Sequence, residues 1–150
     1  MTHLVFRVAR ADDSIDIAEC VQMAYTPYIE RIGKSPGPML DNYDHIVRDH
    51  HVFVVEDEEQ IIGVLVLIEE NSGILLDNIA LRPARQGQGI GSRLIDHAEA
   101  EARRLGYKYL DLYTHELMTE NIALYARRGY RETGHRIEKG YRRVYMRKAL

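Results

Sequence analysis

Tryptophan is absent from this 150-residue chain, phenylalanine occurs twice and cysteine once. The lone Cys20 leaves no internal disulfide framework and no cysteine-based zinc site, and it fits a reducing compartment. No apolar run approaches the ~20 residues that a membrane-spanning helix needs. The opening residues, Met1 to Arg7, lack an apolar stretch preceded by basic residues, so no secretion signal is expected and the chain is placed in the cytoplasm. A basic excess is missing too: Lys and Arg total 20 against 23 Asp and Glu, a formal charge of -3, which argues against a general nucleic-acid binder. The histidines are scattered, and the adjoining His50-His51 has no His-x3-His partner on a helix, so no metal site is expected.

What is present describes an ordinary globular domain. Apolar residues make up 45% of the chain and charged residues 29%, with no internal repeat, low-complexity tract or linker. A single domain over residues 1–150 is long enough to bury a core unaided. Alternation from Leu4 to Arg10 predicts a first strand. Asp12 or Asp13 caps a helix running to about Ala24. Tyr25 to His51 is irregular and rich in Pro and Tyr, read as a helical turn, a loop and a second helix near Asp41–Asp49. Strands at His51–Glu56, Gln60–Glu69 and Gly73–Leu81, separated by turn residues, form an antiparallel meander. Ile90, Leu94, Ile95, Ala98, Ala102 and Leu105 mark a helix stopped by Gly106. A strand at Tyr109–Tyr113 follows, parallel to the fourth by the crossover rule. A helix at about Thr119–Arg128 and a pair of strands, Tyr130–Arg136 and Tyr141–Arg147, complete the order. The last strand is expected near a sheet edge, where its free ladder favours a homodimer.

The chemistry is concentrated at Gln86-Gly87-Gln88-Gly89-Ile90-Gly91-Ser92. Glycines let backbone N–H groups come close to a bulky anion, and the helix that begins there adds unpaired N–H groups and a positive dipole end. A P-loop needs Lys-Ser or Lys-Thr after its last glycine, and none follows. A dinucleotide fold needs its glycines on the first strand–helix turn, whereas these follow a meander. Arg82 and Arg85 stand close enough in sequence to meet phosphate groups.

Gln86-Gly87-Gln88-Gly89-Ile90-Gly91 resembles the (Gln/Arg)-x-x-Gly-x-(Gly/Ala) signature of the GNAT superfamily of acyl-CoA-dependent N-acyltransferases. Asp77 to Pro83 is similar to that family's fourth strand. Asn121-Ile122-Ala123-Leu124-Tyr125-Ala126-Arg127-Arg128-Gly129-Tyr130 resembles its second block. The element order agrees over essentially the whole chain. The resemblance implies an α/β fold of the α+β type: a mixed, mostly antiparallel sheet of about seven strands flanked by helices, with the fourth and fifth strands splayed. It implies N-acetyl transfer from acetyl-CoA, as cosubstrate, to a primary amine of a small molecule or protein. The pyrophosphate would lie on the N–H groups of Gln86, Gly87, Gln88, Gly89, Ile90, Gly91 and Ser92, and the pantetheine arm along Ile79, Ala80 and Leu81. Tyr125 occupies the position of the family's general acid to the departing thiolate, and a phenol of pKa ~10 is protonated at neutral pH. The family's frequent Asn seven residues earlier is Met118 here, and Asn121, one turn from Tyr125, is the candidate to replace its contact. The proton acceptor is open among Asp77, Tyr113, His115, Glu116 and bulk solvent. The acceptor pocket is expected around Tyr25, Tyr28, Arg31, Met39, Asp41, Tyr43 and Asp44. An acyl-CoA-sensing module without turnover is the alternative. No nucleic acid, membrane or metal is implied.

Overall fold

The protein is described by a computed structural model covering residues 3–150; Met1 and Thr2, part of the N-terminal segment read above, lie outside the described residues. Seven strands form one sheet: β1 Leu4–Val8, β2 His51–Asp57, β3 Gln60–Glu70, β4 Gly73–Leu81, β5 Tyr109–His115, β6 Arg131–Glu138 and β7 Tyr141–Ala149. Four helices accompany them: α1 Ser14–Ile32, α2 Tyr43–Asp49, α3 Ile90–Arg104 and α4 Thr119–Arg127. The strand order is β1-β2-β3-β4-β5-β7-β6, antiparallel everywhere except between β4 and β5. The expected mixed sheet, meander and parallel crossover are all present. Among the described residues no helix is long and apolar enough to cross a membrane.

Strand alternation divides the interior into two cores. Phe53, Val55, Leu65 and Leu67 point to the side of α3 and α4, where they meet Leu94, Ile95, Ala98 and Tyr125. Val52, Val54, Val64 and Val66 point the other way and meet Ile17, Cys20 and Val21 of α1. Each fully buried Leu or Ile in these layers contributes about 1.5–3 kcal/mol, so the central strands are fixed from both sides.

One irregularity matters for function. In the β3–β4 ladder Val66 faces Asn78 and Leu67 faces Leu76, so Asp77 is the extra residue of a β-bulge. The bulge reverses the side-chain parity of β4: Ile74 and Leu76 enter the α3-side core before it, and Leu81 enters the same core after it. Pairing between β4 and β5 consists of Leu75 with Asp111 and Leu76 with Leu112, and stops at the bulge. Beyond it the two strands splay, as the resemblance implied.

Two expectations are corrected. Helix α1 continues eight residues past Ala24, to Ile32, although Pro27 lies inside it. An interior proline costs about 3 kcal/mol. Here that cost is offset because Tyr25, Tyr28, Ile29 and Ile32 repeat at helical spacing and are half-buried on one side. Strand β7 is not an edge strand: it lies between β5 and β6, and β6 carries the free ladder. The reason is apolarity. Tyr141, Val144 and Met146 of β7 are buried, while β6 is exposed along most of its length.

Candidate active site

The glycine loop leaves β4 through a 3-10 turn at Pro83–Arg85 and enters α3 at Ile90. Gly87 and Gly89 adopt φ of +77° and +81°, which L side chains tolerate poorly. Gly91 lies within α3, where any residue fits, and a Cβ added to it would meet no protein atom within 4 Å. Space, not backbone strain, is what Gly91 preserves. Arg93 N–H bonds to the Gly89 carbonyl at 3.2 Å, yet among the described residues the backbone N–H groups from Gly87 to Ser92 find no acceptor in the chain. They form an open donor array at the positive end of a 15-residue helix.

The two neighbouring arginines do not join this array. Arg82 is buried, donating from Nε to the Ile61 carbonyl at 2.7 Å and pairing with Glu19 at 3.3 Å. Arg85 pairs with Asp57 at 2.6 Å. Both bind the base of the loop to the meander, because strand ends that converge there leave acceptors to be satisfied. The Gln86 side chain likewise donates to the Leu81 carbonyl at 3.2 Å.

A groove of about 910 Å³ runs from the loop to the splay, bounded by Gln86, Gly87, Gly89, Gly91 and Ser92 at one end. Ile79, Ala80 and Leu81 form its floor, and Asn121 and Leu124 of α4 its wall. Of the sequence-selected loop residues, Gln88 and Ile90 do not line it; Ile90 is in the core and offers its backbone alone. Across the splay the groove meets a second cleft of about 600 Å³, and Tyr25, Ile79, Met118 and Asn121 border both. Beyond the bulge β4 has no strand partner on the β5 side, so its backbone is free to bind an extended ligand with amide groups.

Tyr125 stands on α4 beside this junction, lining the second cleft. Its ring is buried edge-on to Tyr130 at 5.7 Å between centroids. Its hydroxyl has no hydrogen-bond partner among the described residues, and burial pushes its pKa up to about 12. Tyr25 faces it from α1, bonding to Asn78 Oδ1 at 2.7 Å and to the Ile79 carbonyl at 3.1 Å. Asn78 donates in turn to the Tyr43 hydroxyl at 3.0 Å, and Tyr43 to the Pro38 carbonyl at 2.7 Å. This chain of bonds fastens α1 and the Pro36–Leu40 segment over the opened sheet.

At the bulge Asp77 accepts from the Tyr113 hydroxyl at 3.0 Å, and burial raises its pKa above the usual carboxylate value. Asp41, nearby, is pushed up to about 6 by burial and by the charge of Asp77. His115 lines the cleft, but Leu117 N–H donates to its Nδ1 at 3.1 Å, so a neutral ring carries its proton on Nε2. Burial lowers the His115 pKa. That tautomer makes His115 a donor and a poor base. Glu116 is outside the cleft, paired with Arg142 at 3.3 Å. Arg31 and Tyr28 bond to Glu120 across the groove mouth, Met39 offers its carbonyl to Gln22, and Asp44 accepts from Ser14. Sequence reasoning missed Asn78, Tyr141 and Arg143. The alternation of β7 was the one signal that Tyr141 and Arg143 leave on the sequence, and it carries no role.

These features give an open donor array at a helix start, a strand flank without a partner and a second cleft that meets the groove at the splay. The sequence model of the acetyltransferase (GNAT) domain matches residues 48–132, and the chain belongs to the GNAT acetyltransferase family. Solved structures agree in fold. The PaiA N-acetyltransferase of Thermoplasma acidophilum, solved in complex with coenzyme A, is 16% identical over 99% of each chain, with a TM-score of 0.81. The ribosomal-protein-S18-alanine N-acetyltransferase of Escherichia coli is 18% identical over 99% of this chain and 94% of its own, at 0.80. The IAA acetyltransferase of Bacillus cereus is 22% identical over 99% of this chain and 100% of its own, at 0.73. No curated protein sequence matches.

Proposed function

We propose that residues 1–150 form one acetyltransferase domain that moves the acetyl group of acetyl-CoA to the primary amine of a small molecule or protein. The observation that carries the reading is the meeting of the two clefts at Ile79 and Asn121, with the free Tyr125 hydroxyl beside that junction. The backbone N–H groups of Gly87 to Ser92 receive the pyrophosphate, as the open space at Gly91 allows. Ile79, Ala80 and Leu81 offer backbone groups to the pantetheine amides, and Asn121 its side-chain amide. Acetyl-CoA supplies an activated thioester.

Asp77 accepts a proton from the acceptor's ammonium, which frees the nitrogen lone pair to attack the thioester carbon. As the new C–N bond forms and the C–S bond breaks, Tyr125 gives its phenolic proton to the departing sulfur. The nitrogen's second proton passes through solvent to the Tyr125 phenolate, and Asp77 releases its proton to solvent, which returns both groups to their starting states. A tyrosine of pKa about 12 remains protonated through the assay range, so its acid role brings no loss of rate up to about pH 10. The test is calorimetry with coenzyme A beside a thiol-release assay over an amine panel, for the native protein and Tyr125→Phe. We expect kcat to fall about a hundredfold or more in the variant with coenzyme A affinity retained. An unchanged kcat would remove Tyr125 from the chemistry.

A further inference from the structure

The second cleft carries an asymmetry of charge that acetyl transfer by itself does not require. Its lining includes one carboxylate, Asp77, and one guanidinium, Arg143, with Tyr113 between them. The Tyr113 hydroxyl binds Asp77, and the Arg143 guanidinium carbon lies 4.2 Å from the centre of the same ring. Stacking holds the guanidinium in a fixed plane, and its side chain is only 15% exposed. Glu138 accepts one of its N–H groups at 3.1 Å, and Tyr145 bonds to the same glutamate. A guanidinium has five N–H donors, so several remain without a carboxylate or carbonyl acceptor among the described residues. Held in a fixed plane at the cleft and open to solvent, donors of this kind favour an anionic ligand.

Other groups support the same end. His115 presents an Nε2–H with no partner among the described residues, its Nδ1 being occupied by Leu117. Lys34 Nζ is 3.9 Å from the Tyr141 ring centre, and Arg143 and His115 are 5.8 Å and 6.4 Å from it. Tyr141 is therefore surrounded by donors and positive charge, while Asp77 is held at the Tyr113 hydroxyl. A ligand with a cation at one end and an anion at the other matches this arrangement. A polyamine would put a second cation against Arg143 and Lys34.

We propose that the acceptor is a primary amine bearing its own carboxylate, an amino acid or an aminoacyl compound, whose carboxylate is received by Arg143 and His115 while its amine meets Asp77. This rests on the acetyltransferase reading above and adds the class of acceptor. The experiment compares amino acids with their C-terminal amides and with the decarboxylated amines, by thiol release with acetyl-CoA. The carboxylate-bearing member of each pair is expected to have a kcat/KM about ten- to hundredfold higher, mostly through KM. In Arg143→Gln the ratio between acid and amide should fall towards one, and Arg143→Lys should restore part of it; a merely structural arginine would lower both acceptors alike and leave the ratio. Equal use of acids and amides, a preference for the decarboxylated amines, or an unmoved ratio in the variant would overturn the proposal and leave the acetyltransferase reading intact. If no amine turns over, calorimetry of the same acids on the protein saturated with coenzyme A decides: binding lost in Arg143→Gln supports the carboxylate site, and no binding overturns it.

Discussion

The two clefts differ in what lines them. The groove beside the glycine loop is built from backbone: N–H groups of Gly87 to Ser92 and the unpaired flank of β4 beyond Leu76. The second cleft is built from side chains delivered by α1, β4, β5, α4 and β7. A backbone site tolerates almost any sequence that keeps the turn and the free space, so it suits a ligand that is constant. A side-chain site can be rewritten one residue at a time, so it suits a ligand that varies. The junction at Ile79 and Asn121 is where the fixed half meets the adjustable one.

The comparison can be broken first at Asp77. Asp77→Asn should lower kcat/KM for the amine about a hundredfold while coenzyme A affinity stays put. Its folded pKa lies above 3.8, so the native state binds a proton more readily than the unfolded chain. The buried carboxylate therefore costs stability above its folded pKa, and that cost is relieved as pH falls through it. The asparagine variant should melt at or above the native temperature near pH 7, with the advantage shrinking near pH 4. Melting curves at both values check the sign.

Gly91→Asp tests the other half. An acid in the first turn of α3 favours the helix by about 0.3–1 kcal/mol, and its side chain enters space that no protein atom occupies. The melting temperature should hold or rise slightly, whereas coenzyme A should bind about ten- to hundredfold more weakly by calorimetry. A large loss of stability would mean that Gly91 serves the fold. The smallest effect belongs to the junction: Asn121→Ala removes one neutral hydrogen-bonding group, worth about 0.5–1.5 kcal/mol, so coenzyme A affinity should fall about three- to tenfold with kcat little changed.

Legibility followed the same division. The loop was readable because glycine is demanded locally, by φ at Gly87 and Gly89 and by open space at Gly91. The place of Tyr125 at the second cleft was legible because its block lies within ten contiguous residues, whereas its acid role is the proposal above. Arg82 and Arg85 misled for a related reason: their closeness in sequence to the loop said nothing of the buried acceptors at Ile61 and Asp57 that claim them. Arg143 was invisible among 20 basic residues, since its importance comes from the Tyr113 ring and the cleft beside it. The persistence of α1 past Pro27 was hidden too, because only the contacts of Tyr25 and Ile32 outweigh the proline.

By itself the sequence determined the order of elements, the mixed sheet and the donor groove, all of which depend on period, turn chemistry and local backbone demand. Tertiary structure decided the rest. The bulge at Asp77 opens the sheet, the apolar face of β7 draws that strand in beside β5, and together they bring Asp77, Tyr113, His115 and Arg143 to one cleft. No local pattern encodes that meeting, because it is set by the packing of elements remote in the chain.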